Sequence, residues 1–292
     1  MKQRILITGG SGLLGQYMNL AAAEENEIFT LYYSHIGNCS DFKSTRLNLE
    51  NSNTIKEVFL GFKPDVVVHT AAITNPIPLP AQNPKVVYNV NVNATAKIAE
   101  LCKQHGSKLI YISTDLVYAG YRGSMLTEGS KLIPVSLYAE TKLMGETKVK
   151  STFDNYLILR TALLYGIGLN HSTCHFNKMV DSLKNKKPVK LFVDQFRTPI
   201  SLKEASEIII KLSTQDIINE TINLGGTERV SRYELGKILC SVDGYDKSLL
   251  EEIKLDDMPE LPKVEDVSLN TDKLQSFGIK QKSIEESIKG MF

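Results

Sequence analysis

Tyr138 and Lys142, in the stretch SLYAETK (Ser136–Lys142), stand four residues apart. On a helix that spacing projects both side chains from one face, roughly one 5.4 Å turn from each other. A phenol beside an ammonium is a general acid with an electrostatic tuner. Lys142 favours the phenolate and draws the pKa of Tyr138 down towards working pH. Thr114, in YISTDLVY (Tyr111–Tyr118), adds a hydroxyl that can hold a substrate oxygen and share its proton. Read alone, the pair is equally an exposed helical face carrying an aromatic. The elements that position these three side chains have to decide.

Those elements alternate. Arg4–Thr8, Ile28–Tyr32, Asp65–His69, Lys108–Ser113 and Tyr156–Arg160 are short β-branched runs that read as buried strands. Between them Leu13–Glu24, Thr54–Gly61, Pro84–His105 and Leu137–Ser151 read as helices. Strands alternating with helices of this length imply right-handed βαβ units and a parallel sheet covered on both faces. The expected fold is α/β, a Rossmann-type doubly wound sheet over residues 1–165. Residues 166–292 form mainly a smaller substrate lobe, with segments near 202–224 returning to the main sheet. In such a sheet ligands sit outside the carboxyl ends of the strands. HTAA (His69–Ala72), Thr114 and the helix bearing Tyr138 and Lys142 all fall there.

The first strand runs into TGGSGLLG, Thr8–Gly15, which opens the first helix. Gly9 permits the tight turn, Gly12 lets a pyrophosphate approach the backbone, and Gly15 allows close packing of helix on strand. The amides of Ser11, Gly12, Leu13 and Leu14 begin a helix whose N-terminus attracts phosphate. A glycine triplet alone marks many turns; between a first strand and a first helix it points to a dinucleotide. The second strand ends LYYSHIG, with no carboxylate to grip the adenosine ribose hydroxyls. Ser34 and His35 can instead donate to a ribose phosphate, which favours NADPH, with NADH possible. His35 as a solvated loop residue is the plain alternative.

Composition excludes several classes. A net charge of +1 gives no call for nucleic acid or an anionic membrane as partner. No apolar run approaches the roughly 20 residues of a membrane helix. RILIT begins a strand almost at once, so no signal peptide is expected. Four scattered cysteines, Cys39, Cys102, Cys174 and Cys240, suit a reducing cytoplasm. His171, Cys174 and His175 lack further ligands at convincing spacing and read as loop or core residues, so no metal is expected.

Taken together, TGGSGLLG, STDLVY, YAETK, LRTALLYG (Leu159–Gly166), VDQFRTP (Val193–Pro199) and NLGGTERVSRYEL (Asn223–Leu235) resemble the extended short-chain dehydrogenases/reductases. Within them the chain most resembles the dTDP-4-dehydrorhamnose reductase branch. The resemblance implies Thr114, Tyr138 and Lys142 as catalytic residues, with Tyr138 and Lys142 also touching the cofactor. It places Ala71 and Ala72 at the cofactor's ribose, and Arg197 with Thr114 on the sugar-nucleotide side. Sugar-nucleotide dehydratases of this family carry an Asp-Glu pair after the threonine; here Leu116 follows Asp115, which counts against dehydration. The branch's acidic stretch after the third strand is replaced by LNLEN, with Asn48 and Glu50. The loop after Ala72 carries Pro76, Pro78 and Pro80 rather than acidic residues. Both departures weigh against the rhamnose substrate itself and the magnesium-assisted dimer of some relatives.

The expectation is therefore a cytoplasmic reductase, with a homodimer left open, that moves hydride from NADPH to a keto group on a nucleotide-linked sugar. Two rivals share the fold. One is a sugar-nucleotide epimerase; the other is a nucleotide-binding regulatory subunit resembling the methionine adenosyltransferase β-subunit.

Overall fold

A computed structural model describes residues 2–74 and 83–291. Pro76, Pro78 and Pro80 lie outside the described residues. In the first part of the chain, strands β1 (Arg4–Thr8), β2 (Glu27–Tyr32), β3 (Ser44–Arg46), β4 (Val66–His69), β5 (Lys108–Thr114) and β6 (Tyr156–Thr161) alternate with helices. These are α1 (Leu13–Ala23), α2 (Ser52–Phe62), α3 (Pro84–Tyr88), α4 (Ala94–His105) and α5 (Leu137–Thr152). Later strands are β7 (Leu164–Tyr165), β8 (Val189–Phe192), β9 (Phe196–Arg197), β10 (Ile200–Ser201), β11 (Glu220–Leu224), β12 (Val230–Ser231) and β13 (Leu250–Ile253). They are interleaved with α6 (His175–Lys184), α7 (Leu202–Ser213), α8 (Arg232–Asp243), α9 (Asp272–Ser276) and α10 (Ile284–Lys289).

The main sheet has seven strands in the order β11-β6-β5-β4-β1-β2-β3. Every pair in it is parallel. The chain leaves β1 towards β2 and β3, then returns to place β4 on the other side. That reversal opens a crevice at the carboxyl ends of β1 and β4.

Side-chain alternation builds the two cores. Ile5, Ile7, Val66, Val68, Ile110, Ile112, Leu157 and Leu159 face the layer of α1 and α7. Leu6, Val67, Leu109, Tyr111, Tyr156 and Ile158 face α2, α4 and α5. Both faces are apolar, so the strands read as continuous hydrophobic runs. Beyond β6 a separate core gathers Phe176, Met179, Val180, Leu191, Leu235 and Leu239 between α6, α8 and β8. This lobe is stitched by two-stranded pairings, β7 with β10, β9 with β12 and β8 with β13. β11 then leaves the lobe and joins the main sheet beside β6, from Glu220 opposite Leu157 to Leu224 opposite Thr161.

The stretch Pro84–His105 is not one uniform helix. A π turn, Asn89–Asn93, separates α3 from α4. Asn91 within it is buried and fully engaged. Its Oδ1 accepts from the Ile73 amide at 2.8 Å, while its Nδ2 donates to the Ile73 carbonyl at 3.1 Å and to Thr141 Oγ1 at 3.0 Å. Such a turn re-aims one side chain that a regular helix would direct elsewhere.

Candidate active site

A cleft of about 1390 Å³ runs along the carboxyl ends of the strands and continues under the lobe. At one end lies the glycine turn. Gly9 has φ of +68°, and a Cβ there would stand 2.7 Å from the Ala71 Cα. At Gly15 a Cβ would stand 2.0 Å from the Gly9 carbonyl oxygen, so α1 starts against the turn only because the side chain is absent. Gly12 is different: its only near neighbour would be the Gly9 oxygen, at 3.1 Å. The fold itself therefore tolerates more there, and the space over Gly12 belongs to the cleft. Gly12 caps α1 with no side-chain hydrogen bond, and the first turn carries no acidic residue. The Gly12 amide donates to the Gly9 carbonyl at 2.9 Å, while among the described residues those of Leu13 and Leu14 have no partner and can serve an anion, which is the feature a pyrophosphate requires. Gly9, Ser11, Gly12, Leu13 and Leu14 all line the cleft.

Across the turn stand Ala71 and Ala72, just beyond β4 and also lining the cleft. Their approach is set by hydroxyls: Thr70 Oγ1 donates to the Thr8 carbonyl at 2.7 Å, and the Ala71 amide donates to Thr8 Oγ1 at 3.3 Å. His69 is fully buried between Thr8 and Thr95, its ring nitrogens 2.6 and 2.9 Å from their hydroxyls. Burial, and next the charge of Lys142, push its pKa down to about 3. It is a neutral structural imidazole.

At the end of β2, Tyr33 and Ser34 line the cleft and are exposed. His35 does not line it. Its ring instead lies against His171 of the lobe, centroids 4.5 Å apart. His171 is held below the ordinary histidine range by desolvation first and by His35 second. A basic group absent from the sequence expectation stands beside this end without itself lining the cleft. Arg46, the last residue of β3, donates its Nε to the Tyr33 carbonyl at 2.9 Å. A segment of the lobe is tied over the same region. Gln16 donates to the Leu169 carbonyl and to Ser172 Oγ, both at 2.8 Å, and Tyr17 donates to the Ile167 carbonyl at 2.6 Å.

In the middle of the cleft Thr114 ends β5, and Tyr138 and Lys142 stand one turn apart on α5. Ser136 begins that helix by accepting the Ala139 amide at 3.3 Å. Thr114 Oγ1 donates to Asp115 Oδ1 at 3.2 Å and stands close enough to the Tyr138 phenol to favour its ionised form. The phenol pKa is not drawn down. Its enclosure raises it to about 12, Thr114 opposes the rise, and the charge of Asp115 adds to it. The expected tuning by Lys142 is missing because the ammonium sits over the Tyr111 ring, 3.9 Å from its centroid. Burial pushes Lys142 down to about 7, with the Glu146 carboxylate opposing. Glu146 is itself buried, accepting from Ser113 Oγ at 2.6 Å and from Arg160 at 3.0 Å and 2.7 Å.

Under the lobe the cleft becomes cationic. Arg197 on β9 is 5% exposed, and its Nε lies 3.5 Å from Asp115 Oδ2. Arg232, which opens α8, donates its Nε to Gln195 Oε1 at 3.2 Å. Burial, and next the charge of Arg197, push Arg232 down to about 10. Asp115 has its carboxyl raised by burial, with Arg197 opposing. Its Oδ2 has no hydrogen-bond partner among the described residues. Two guanidiniums thus face the cleft beside a single carboxylate. Arg232 was missed as a site residue, although Ser231 and Glu234 form a capping box that marks it as the first helical residue. Asn91 was missed as well. Cys174 caps α6, donating its Sγ to the Gly166 carbonyl at 3.3 Å. Among the described residues no group of three or more His, Cys, Asp or Glu side chains gathers to hold a metal.

A doubly wound sheet, a glycine turn feeding an uncapped helix and a Tyr-Lys pair facing a strand-end threonine define an extended short-chain dehydrogenase/reductase. Comparison with known proteins agrees. The chain belongs to the RmlD substrate binding domain family, whose model matches residues 2–292. It is 25% identical over 303 residues to the dTDP-4-dehydrorhamnose reductase of Aggregatibacter actinomycetemcomitans, covering 99% of this chain and 98% of that one. It is 28% identical over 286 residues to methionine adenosyltransferase 2 subunit beta of Xenopus laevis, covering 96% of this chain and 84% of that one. The crystal structure of Bacillus anthracis dTDP-4-dehydrorhamnose reductase in complex with NADP superposes with a TM-score of 0.86 at 24% identity, covering 100% of this chain and 99% of that one. Among the described residues no helix is long and apolar enough to cross a membrane.

Proposed function

We propose that this protein is an NAD(P)H-dependent reductase acting on a keto group of a nucleotide-linked sugar. The observation that carries the reading is one continuous cleft. It joins the glycine turn to Thr114, Tyr138 and Lys142, and these to the buried Arg197 and the half-buried Arg232. A dinucleotide suits the first part, and a diphosphate suits the last, where guanidiniums can grip phosphate oxygens in pairs.

A bound nicotinamide supplies the hydride. The chain's part is to place the carbonyl and receive the negative charge that develops on its oxygen. Thr114 Oγ1 and the Tyr138 phenol both donate to that oxygen, and Tyr138 delivers the proton. A phenol held near 12 is fully protonated at neutral pH, the correct state for an acid in the reducing direction. Lys142, whose ammonium rests over the Tyr111 ring rather than on the phenol, would hold the nicotinamide ribose, and would do so only while charged. Asn91 positions α5 through Thr141 and steadies Ile73, just beyond the cofactor-side alanines.

The likeness to a methionine adenosyltransferase subunit favours a second reading, a nucleotide-binding regulatory subunit. One experiment separates them: incubation with a panel of 4-dehydro nucleotide sugars while NADPH absorbance is followed. Consumption of NADPH with any of them supports the reductase. Tight NADPH binding with no consumption across the panel supports the regulatory subunit.

A further inference from the structure

The β2 end of the cleft poses an unanswered question about charge. Tyr33, Ser34 and His35 bring no carboxylate, and the His35 ring lies against His171 outside the cleft lining. A cation from the neighbouring strand stands beside this end, bonded to a residue that lines it. β3 pairs parallel with β2, with Tyr32 opposite Arg46, so both strands finish at the same edge of the crevice. The Nε of Arg46 is turned back onto the Tyr33 carbonyl at 2.9 Å. That bond spends one donor, and among the described residues the two terminal nitrogens of the fork have no hydrogen-bond partner. Among the described residues no carboxylate forms a salt bridge with Arg46. Of the nearest acids along the chain, Glu50 lines the cleft and is turned to Asn89 Nδ2, from which it accepts at 3.1 Å, while Asp41 accepts from Ser40 Oγ at 3.1 Å.

We propose that Arg46, together with the Ser34 hydroxyl, seats a phosphate on the adenosine ribose 2′ position, making this chain selective for the 2′-phosphorylated dinucleotide. The assignment rests on the dinucleotide reading of the cleft. A guanidinium whose two terminal nitrogens present one free edge matches a pair of phosphate oxygens in a way an ammonium cannot. The bond to Tyr33 pre-orients it, so little side-chain freedom is lost on binding. A ribose lacking the phosphate would leave Arg46 solvated and gain nothing from it.

The test uses cofactor fragments, so it does not depend on turnover. The full chain is titrated calorimetrically with adenosine 5′-monophosphate and with adenosine 2′,5′-bisphosphate. The bisphosphate should bind the wild type about tenfold to a hundredfold more tightly, the usual worth of hydrogen bonds to a charged group. Arg46→Gln should erase that difference and leave monophosphate affinity unchanged, while Arg46→Lys restores part of it. Arg46 is exposed and makes one hydrogen bond, so the variants should melt like the wild type. A preference that survives in Arg46→Gln overturns the assignment, as does monophosphate binding with no preference in the wild type. Failure of the wild type to bind either fragment overturns the dinucleotide reading and the assignment together.

Discussion

Glu146→Gln tests both the support beneath the site and its charge balance. The carboxylate is 1% exposed and is held by Ser113 and by two nitrogens of Arg160, itself 2% exposed. Glutamine keeps the volume and removes the charge. Breaking one side of a buried ion pair costs about 3–5 kcal/mol, because the remaining charge is left uncompensated. Arg160 still donates to Tyr118 Oη at 2.9 Å and to the Glu128 carbonyl at 3.1 Å. The loss should therefore fall at the lower end, about 3 kcal/mol. At about 2–4 °C per kcal/mol this lowers the melting temperature by about 6–12 °C. The second effect reaches Lys142, one turn back on α5. Glu146 opposes the burial that holds Lys142 at about 7, so its removal lowers that value further. Turnover that needs a charged Lys142 declines as pH rises through its pKa, and this alkaline limb should move to lower pH in the variant. Urea unfolding and a pH profile of kcat measure the two effects. Adding Arg160→Met should recover part of the stability, because it removes the stranded charge, and leave the displaced limb where it is. A stability loss below about 1 kcal/mol, a double variant no more stable than the single one, or an unmoved limb would each refute the reasoning.

Tyr138→Phe keeps the ring and removes the proton; turnover should fall about 10²–10⁴-fold with cofactor affinity preserved in a fluorescence titration. Arg232→Ala should raise KM for the sugar nucleotide by about tenfold to a hundredfold and leave NADPH affinity unchanged, since its guanidinium stands beside Arg197 and Gln195 of the lobe. A fall in NADPH affinity of equal size would instead make Arg232 structural. Gly12→Ala should fold, because only the Gly9 oxygen crowds the new methyl, yet lose cofactor binding; Gly15→Ala should lose stability, its methyl falling 2.0 Å from a backbone oxygen. Melting curves beside titrations distinguish the two glycines.

The β-branched runs and the glycine turn were legible because each is a local pattern with one physical meaning. The alternation of Ile5, Leu6 and Ile7 between two cores is that of a strand buried on both faces. The Tyr138–Lys142 spacing placed both side chains on one helix face. The electrostatics did not follow from spacing, because the Lys142 ammonium is captured by Tyr111, which precedes it by 31 residues on another element. Arg46 was invisible for a similar reason: Ser44–Arg46 is a three-residue strand with no pattern of its own, and its meaning comes from pairing with β2. The sequence leaves His35 as either a phosphate donor or a solvated loop residue, and its ring neighbour His171 arrives from the lobe, out of reach of any local pattern. The π turn at Asn89–Asn93 likewise owes its sense to Ile73 and Thr141, which Asn91 bridges.

The pairing of β11 with β6 bears on how the chain acquires its structure. β6 ends at Thr161, while its outer neighbour begins at Glu220, after much of the lobe has been made. Until Glu220–Leu224 leaves the ribosome, YLILRT presents one unpaired row of backbone donors and acceptors on a strand whose residues are all buried in the finished protein. An open apolar edge of this kind is a template for wrong partners. A nascent chain arrested before Leu224 is thus an aggregation hazard, and a fragment cut after Tyr165 inherits the same exposed edge permanently.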